Sequence, residues 1–211
     1  MIKGLILDMD GTLLDSRQMH LEAWKTLLNR YQIEKNESEI LAHFGKTTEE
    51  IAKKLFPPEF DFQKVGTEKD EIFITLIPEI DVFQGVPDLL NKLKQQNYRI
   101  CIASSNPKKT IQTIISSFKL RVDTVVSMED ILHGKPAPDM IIASASKLHL
   151  SIANCIAVGD TPYDIQAAEA AQCTVIAVLT GGYSPQILKR YNPNFILPSI
   201  LEIEKILKIL S

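Results

Sequence analysis

The chain opens on a short hydrophobic run, Leu5-Ile6-Leu7, which stops abruptly at Asp8-Met9-Asp10-Gly11-Thr12. Residues 2–8 read as a buried strand. Apolar spacing then changes to a helical period. His20, Trp24, Leu27 and Tyr31 recur at four-three-four intervals, which predicts a helix over 17–31. Further helical patterns cover 37–43, 47–56 and 63–77, with Pro57-Pro58 and Pro78 as stops. Strand patterns return at 99–104, 124–127, 155–159 and 174–178, with a short last one at 195–197. Helical patterns at 86–96, 107–118, 137–149, 162–171, 184–190 and 199–210 fall around them.

Strands alternating with helices predict an α/β fold, a doubly wound, Rossmann-like parallel sheet covered on both faces. The stretch 15–81 breaks the alternation, for it holds helical patterns and no convincing strand. It is expected to be an all-helical cap domain inserted into an α/β core made of 1–14 and 82–211, with linkers near Asp15-Ser16 and Val82–Gly85. A cap over a site excludes water and selects substrates.

Ligands of such sheets bind outside the carboxyl ends of the strands. Four polar clusters fall at such ends or shortly after them: Asp8 with Asp10, Ser104-Ser105-Asn106, Gly134-Lys135-Pro136, and Gly159-Asp160-Thr161-Pro162-Tyr163-Asp164. Their convergence on one sheet edge is the strongest functional signal in the chain.

Alternation along an extended chain turns Asp8 and Asp10 to one side. Two carboxylates that close repel each other unless a cation or a proton sits between them. The expected chemistry is therefore Mg²⁺-assisted phosphoryl transfer. Asp8 is the candidate nucleophile, able to form an aspartyl-phosphate. Asp10 is the candidate acid/base. A calcium loop is ruled out because Gly11 follows Asp10 at once and Thr12 stands at the third ligand position. Asp160 is a further carboxylate for Mg²⁺, alongside Asp8 and the main-chain carbonyl of Asp10. Asp164 has two readings, as the acid of a helix start on Thr161 or as a group orienting the metal's waters. Ser104 with the N–H of Ser105 could hold phosphate oxygens, or Ser104 could cap the next helix. Lys135 would supply a fixed positive charge for phosphate; a lysine alone is more often a solvated surface group. His20 faces the opening or packs in the helical core, and Trp24 is expected in that core.

Composition narrows the classes. The 211 residues are 45% hydrophobic and 23% charged, ordinary for a globular chain. A net charge of −3 gives no basic footprint for nucleic acid. No apolar run approaches the ~20 residues that span a bilayer. Met1–Gly4 lead directly into the first strand, so no signal peptide is expected. Cys101, Cys155 and Cys173 fit no metal spacing and are expected to be buried free thiols in a reducing cytoplasm.

Asp8-Met9-Asp10-Gly11-Thr12-Leu13, Ser104 at a strand end, Lys135 in Gly134-Lys135-Pro136-Ala137-Pro138-Asp139, and Gly159-Asp160-Thr161-Pro162-Tyr163-Asp164 resemble, in order, the four motifs of the haloacid dehalogenase (HAD) superfamily. The insertion resembles the C1-type cap of its phosphoglycolate phosphatase and β-phosphoglucomutase relatives. The resemblance implies Asp8 as nucleophile and Asp10 as acid/base. It implies Mg²⁺ held by Asp8, Asp10 and Asp160 with help from Asp164, and substrate bound through Gly11, Thr12, Ser104, Ser105, Lys135 and His20. The second aspartate, Asp10, argues against dehalogenation, and no Schiff-base lysine of the phosphonatase kind is assignable. The rival is a β-phosphoglucomutase-like sugar-phosphate mutase, because Asp15–Lys25 looks like the corresponding helix of β-phosphoglucomutases and of sugar-phosphate phosphatases. Two departures oppose it: Gly159 precedes Asp160 where mutases commonly carry Glu, and Lys46, Thr47 and Thr48 stand where the cap arginine is expected. The implied activity is a phosphatase acting on a small phosphorylated metabolite, a sugar phosphate or a phosphoglycolate-like compound, as a monomer or weak dimer, with the Phe44–Thr48 loop facing the substrate.

Overall fold

A computed structural model describes residues 1–210. Six parallel strands form its sheet: β1 (Gly4–Leu7), β4 (Arg99–Ala103), β5 (Thr124–Val126), β6 (Cys155–Gly159), β7 (Thr174–Val178) and β8 (Phe195–Leu197). The order is β5-β4-β1-β6-β7-β8, so the chain builds outward from β1 on one side and then crosses to the other. Two further short strands, β2 (Leu14–Asp15) and β3 (Asp81–Val82), pair antiparallel with each other.

The strands are apolar throughout because both faces are covered. Alternate residues nevertheless serve opposite layers. Leu5, Leu7, Ile100, Ile102, Ile156 and Val158 pack in one hydrophobic cluster, while Ile6, Cys101, Ala103, Cys155 and Ala157 pack in the other. The first layer includes α5 (Val86–Gln95), α6 (Lys108–Phe118) and α10 (Ile203–Ile209); the second includes α7 (Asp139–Lys147), α8 (Pro162–Ala170) and α9 (Pro185–Lys189). A fully buried Leu or Ile contributes about 1.5–3 kcal/mol, and β1 is buried along its whole length. All three cysteines are buried free thiols, as expected.

Between β2 and β3 lie four helices: α1 (Arg17–Arg30), α2 (Glu37–Leu41), α3 (Thr48–Leu55) and α4 (Phe62–Leu76). They enclose their own cluster, with Trp24, Leu27, Leu28, Ile40, Ile51, Leu55 and Val65 inside. Tyr31, Phe56 and Phe60 meet edge to face at its margin. Two helix starts are fixed by reciprocal side-chain caps, Asn36 with Glu39 and Thr47 with Glu50. No helix among the described residues is long and apolar enough to cross a membrane.

Most expected elements occur with ends trimmed by one to three residues, since helix termini give up residues to caps and turns. The departure is at the linkers. They are zipped together, Leu14 against Val82 and Asp15 against Asp81. Two-residue strands are too short to carry a periodic signal, so they read as loops.

Candidate active site

One cleft lies between the carboxyl ends of the sheet strands and the four-helix insert. Asp8 follows β1, Ser104 follows β4 and Asp160 follows β6, so three strands of fixed register deliver three polar side chains to one floor. Lys135 comes from the segment between β5 and α7.

The lysine sits at the centre of the floor. Its Nζ lies 2.6 Å from Asp8 Oδ1 and 2.6 Å from Asp164 Oδ1, and it also donates to the Ala103 carbonyl at 3.2 Å. Carboxylate oxygens of Asp8, Asp160 and Asp164 lie within 4.8 Å of one another. One ammonium therefore faces three carboxyl groups, those of Asp160 and Asp164 buried and that of Asp8 partly so. Burial first, then the neighbouring Asp164 and Asp10, push Asp8 up to about 8 against the pull of Lys135. Asp160 is raised well above its ordinary range by burial and by Asp8 and Asp164. The same carboxylates lift Lys135, which stays charged despite its burial.

This donor set fits a hard divalent cation. Oxygen ligands on a rigid floor suit Mg²⁺, and a cation would relieve the repulsion that pushes Asp8 and Asp160 toward their neutral forms. Asp164 already has its oxygens engaged: Oδ2 accepts from Thr161 N at 3.0 Å and Thr161 Oγ1 at 2.6 Å, while Oδ1 faces Lys135. Asp164 is thus the capping acid of α8, the first of its two expected readings, and the same carboxylate is the second anion on the lysine.

Asp10, two residues from Asp8, lives in a different field. Its Oδ1 accepts from Ser16 Oγ and lies 3.1 Å from His20 Nε2; its Oδ2 accepts from Asn106 Nδ2. Burial alone would raise its pKa, but His20, Ser16 and Lys69 outweigh it and hold Asp10 down at about 2. The histidine tautomer follows from hydrogen-bond chemistry. Lys69 Nζ, an obligate donor, lies 2.9 Å from His20 Nδ1, so Nδ1 accepts and Nε2 carries the proton donated to Asp10. Burial and Lys69 lower the His20 pKa, consistent with this neutral form. The imidazole stacks on Phe73 at 3.8 Å, and Lys69 also donates to Asp70, which accepts from Thr48.

Backbone closeness shapes the floor at two glycines. A methyl on Gly181 would lie 1.6 Å from Asp160 Oδ2, so any side chain there displaces that carboxylate. Gly11 has φ of 75° and also abuts Asp160.

The other expected residues distribute unevenly. Gly11, Ser104, Ser105, Lys135 and His20 line the cleft. Ser104 does not cap α6; its Oγ accepts from Asn106 N and Nδ2 at 3.2 and 3.1 Å. Ser105 Oγ reaches the Gly45 carbonyl at 3.4 Å. Thr12 is fully buried behind the floor and donates to Asp160 at 3.2 Å, so its place is under the carboxylate rather than beside the substrate. The Asp10 carboxylate turns to Ser16, His20 and Asn106, away from the three-carboxylate group. Trp24 is in the insert's core, as expected, and its edge also reaches the cleft.

Sequence reasoning gave no role to Asn106, Ser16, Gly181 or Lys69. Lys69 had a signal. It lies on the stripe Val65-Lys69-Phe73 of α4, a position the period assigns to the interior, and it is 2% exposed. A lysine at such a position needs a partner.

The chain belongs to the haloacid dehalogenase-like hydrolases, whose family model matches residues 5–178. It is similar to the fructose-1-phosphate phosphatase YqaB of Escherichia coli, 28% identical over 182 residues, covering 83% of this chain and 95% of that one. It is also similar to the pyrophosphatase PpaX of Oceanobacillus iheyensis, 26% identical over 217 residues, covering 96% and 95%. A hydrolase from Pseudomonas syringae superposes with a TM-score of 0.87 at 26% identity over 99% of both chains. A β-phosphoglucomutase from Clostridium difficile shares the fold, with a TM-score of 0.85 at 24% identity over 99% of this chain and 96% of that one.

Proposed function

We propose that the protein is a Mg²⁺-dependent phosphatase that hydrolyses a small phosphorylated metabolite through an aspartyl-phosphate on Asp8. The observation that carries this reading is the opposite state of two aspartates in one cleft. Asp8 is held against Lys135 among further carboxylates, and Asp10 is kept as a carboxylate by three donors. Asp8, Asp160 and the main-chain carbonyl of Asp10 would hold Mg²⁺, with Asp164 orienting it. The cation would supply charge for the transferred phosphoryl group and keep Asp8 ionised.

An Asp8 oxygen attacks phosphorus while the ester oxygen departs with the bonding pair and takes a proton that Asp10, a carboxylate at rest, has first received from the bound substrate's monoanion. Asp10, again a carboxylate, then takes a proton from water as its oxygen attacks the acyl phosphate. Phosphate leaves and Asp8 is restored. Ser104, Ser105 and Lys135 would hold the phosphoryl oxygens, with Gly11 allowing close approach. The helices 17–76 act as the cap, and His20 reaches from them to Asp10. The buried free thiols support a reducing cytoplasmic setting.

Release of inorganic phosphate from an aryl phosphate tests the reading. Activity is expected with Mg²⁺, abolished by chelator, and reduced at least about 10³-fold in Asp8→Asn. Undiminished release by Asp8→Asn would remove the nucleophile assignment. The insert's hold on Asp10 through His20 also suits the sugar-phosphate mutase reading. A time course that follows free phosphate and isomerised sugar phosphate together separates the two, and phosphate is expected to dominate.

A further inference from the structure

Four lysine or arginine side chains line the cleft, and they are not equally engaged. Lys135 is clasped by Asp8 and Asp164. Lys69 lies between His20 and Asp70. Arg17 and Lys46 have no carboxylate partner among the described residues.

Arg17, at the start of α1, donates through Nη1 to the Gly181 carbonyl at 2.8 Å, and its guanidinium lies 5.7 Å from the Phe44 ring centre. Both contacts orient the group without neutralising it. Lys46, two residues past Phe44, lies 5.3 Å from the Tyr163 ring centre. Both are only half-buried, and both line the cleft. The turn that carries Lys46 is fixed against the core. Gly45, at φ of 97°, packs so closely that a methyl there would lie 2.9 Å from the Tyr163 ring, and its carbonyl accepts from Ser105. Two cations thus line the cleft, each against an aromatic ring and neither paired with a carboxylate among the described residues.

We propose that Arg17 and Lys46 recognise a second anionic group on the substrate, carried by the part that leaves. This rests on the phosphatase reading above for the place of the first phosphoryl group. It specifies the substrate class as a compact phosphate ester or anhydride with an acidic leaving group, a carboxylate or a second phosphate, rather than a neutral sugar or alcohol. Arginine fits either through its planar fork, and the lysine adds a point charge.

The test compares ligands whose leaving parts differ in charge. Phosphoglycolate and 2-hydroxyethyl phosphate differ by a carboxylate in place of a hydroxymethyl group, and pyrophosphate and methyl phosphate extend the pair to a phosphate leaving group. Two ratios are read: kcat/KM of the wild type with Mg²⁺, and dissociation constants by calorimetry on Asp8→Asn with Mg²⁺. Each ratio is expected to favour the anionic member by about tenfold for each cation engaged. Preference for phosphoglycolate identifies a carboxylate, and preference for pyrophosphate a phosphate. Arg17→Gln and Lys46→Met should each lower the ratio by about tenfold, whereas Arg17→Lys should retain part of it. Ratios near one in the wild type, or ratios unchanged by both neutral substitutions, overturn the proposal. Absence of turnover with every ester, together with a preserved binding ratio, would remove the phosphatase reading and leave this assignment standing.

Discussion

Along the core wall of the cleft, Asp8, Lys135, Asp160 and Asp164 stand on segments beyond the carboxyl ends of parallel strands. Along the opposite wall, His20 and Lys69 stand on helices reached through the paired β2 and β3. The core wall concentrates like charge on a rigid floor: three carboxyl groups around one lysine, with Asp8 and Asp160 raised. The insert wall works through donors, and its His20, fixed in one tautomer by Lys69, helps keep Asp10 ionised. Two aspartates two residues apart are therefore pushed in opposite directions, because one answers to the sheet alone and the other to both walls. Pairs of titratable groups driven apart in this way have separable tasks.

The comparison is broken most severely at Lys135. Lys135→Met leaves Asp8 and Asp164 buried without their cation, which is expected to cost about 3–5 kcal/mol of stability and about 10³-fold in phosphate release. Denaturant midpoints with and without Mg²⁺ check the first, and added Mg²⁺ should recover part of the stability. An unchanged midpoint would mean that the carboxylates do not depend on the lysine.

On the insert wall the expected effect is smaller. Lys69→Met frees His20 Nδ1 and removes the neighbouring charge that, after burial, lowers its pKa, so Nδ1 is expected to take up a proton while Nε2 still donates to Asp10. A loss of about tenfold in kcat is expected, with a shift of the pH–rate profile that a packing defect alone would not produce. Imidazole nitrogen chemical shifts report the tautomer directly. Nδ1 still unprotonated in the variant would show that Lys69 does not set it.

The smallest effect concerns the core alone, where all three thiols lie. Burial raises Cys101 and Cys155 to about 11 and Cys173, with Cys155 beside it, to about 12. An unfolded thiol ionises near about 8.5. The folded state therefore binds these protons more tightly, and the stability they contribute is complete below about pH 8.5 and is lost as pH rises toward the folded values. Urea midpoints should fall between pH 8 and 10 in the wild type and less in a Cys→Ala variant at 173; equal slopes would contradict the assignment.

The α/β core was legible because its signals are local. Apolar runs, terminal carboxylates and prolines each speak for themselves in one stretch of chain. The floor of the site was legible for the same reason, since Asp8, Ser104, Lys135 and Asp160 follow strand patterns or stand close behind them. Asn106 and Ser16 were illegible because their meaning lies in one partner, Asp10, that only the folded chain brings near. Gly181 was silent because its role is the absence of a side chain beside Asp160. Thr12 looked like a substrate contact in sequence, but the turn at Gly11 sends it inward to Asp160.

The ribbon of β2 and β3 has a consequence for how such a molecule can change over generations. The chain leaves the core at Leu14 and returns at Val82, and these two residues are direct partners. Topologically, everything between them is one long loop whose ends already touch. Lengthening, shortening or replacing it costs little closure entropy and leaves the register of the sheet untouched. The floor of the cleft stands on the sheet, while its opposite wall stands on a part whose two ends meet.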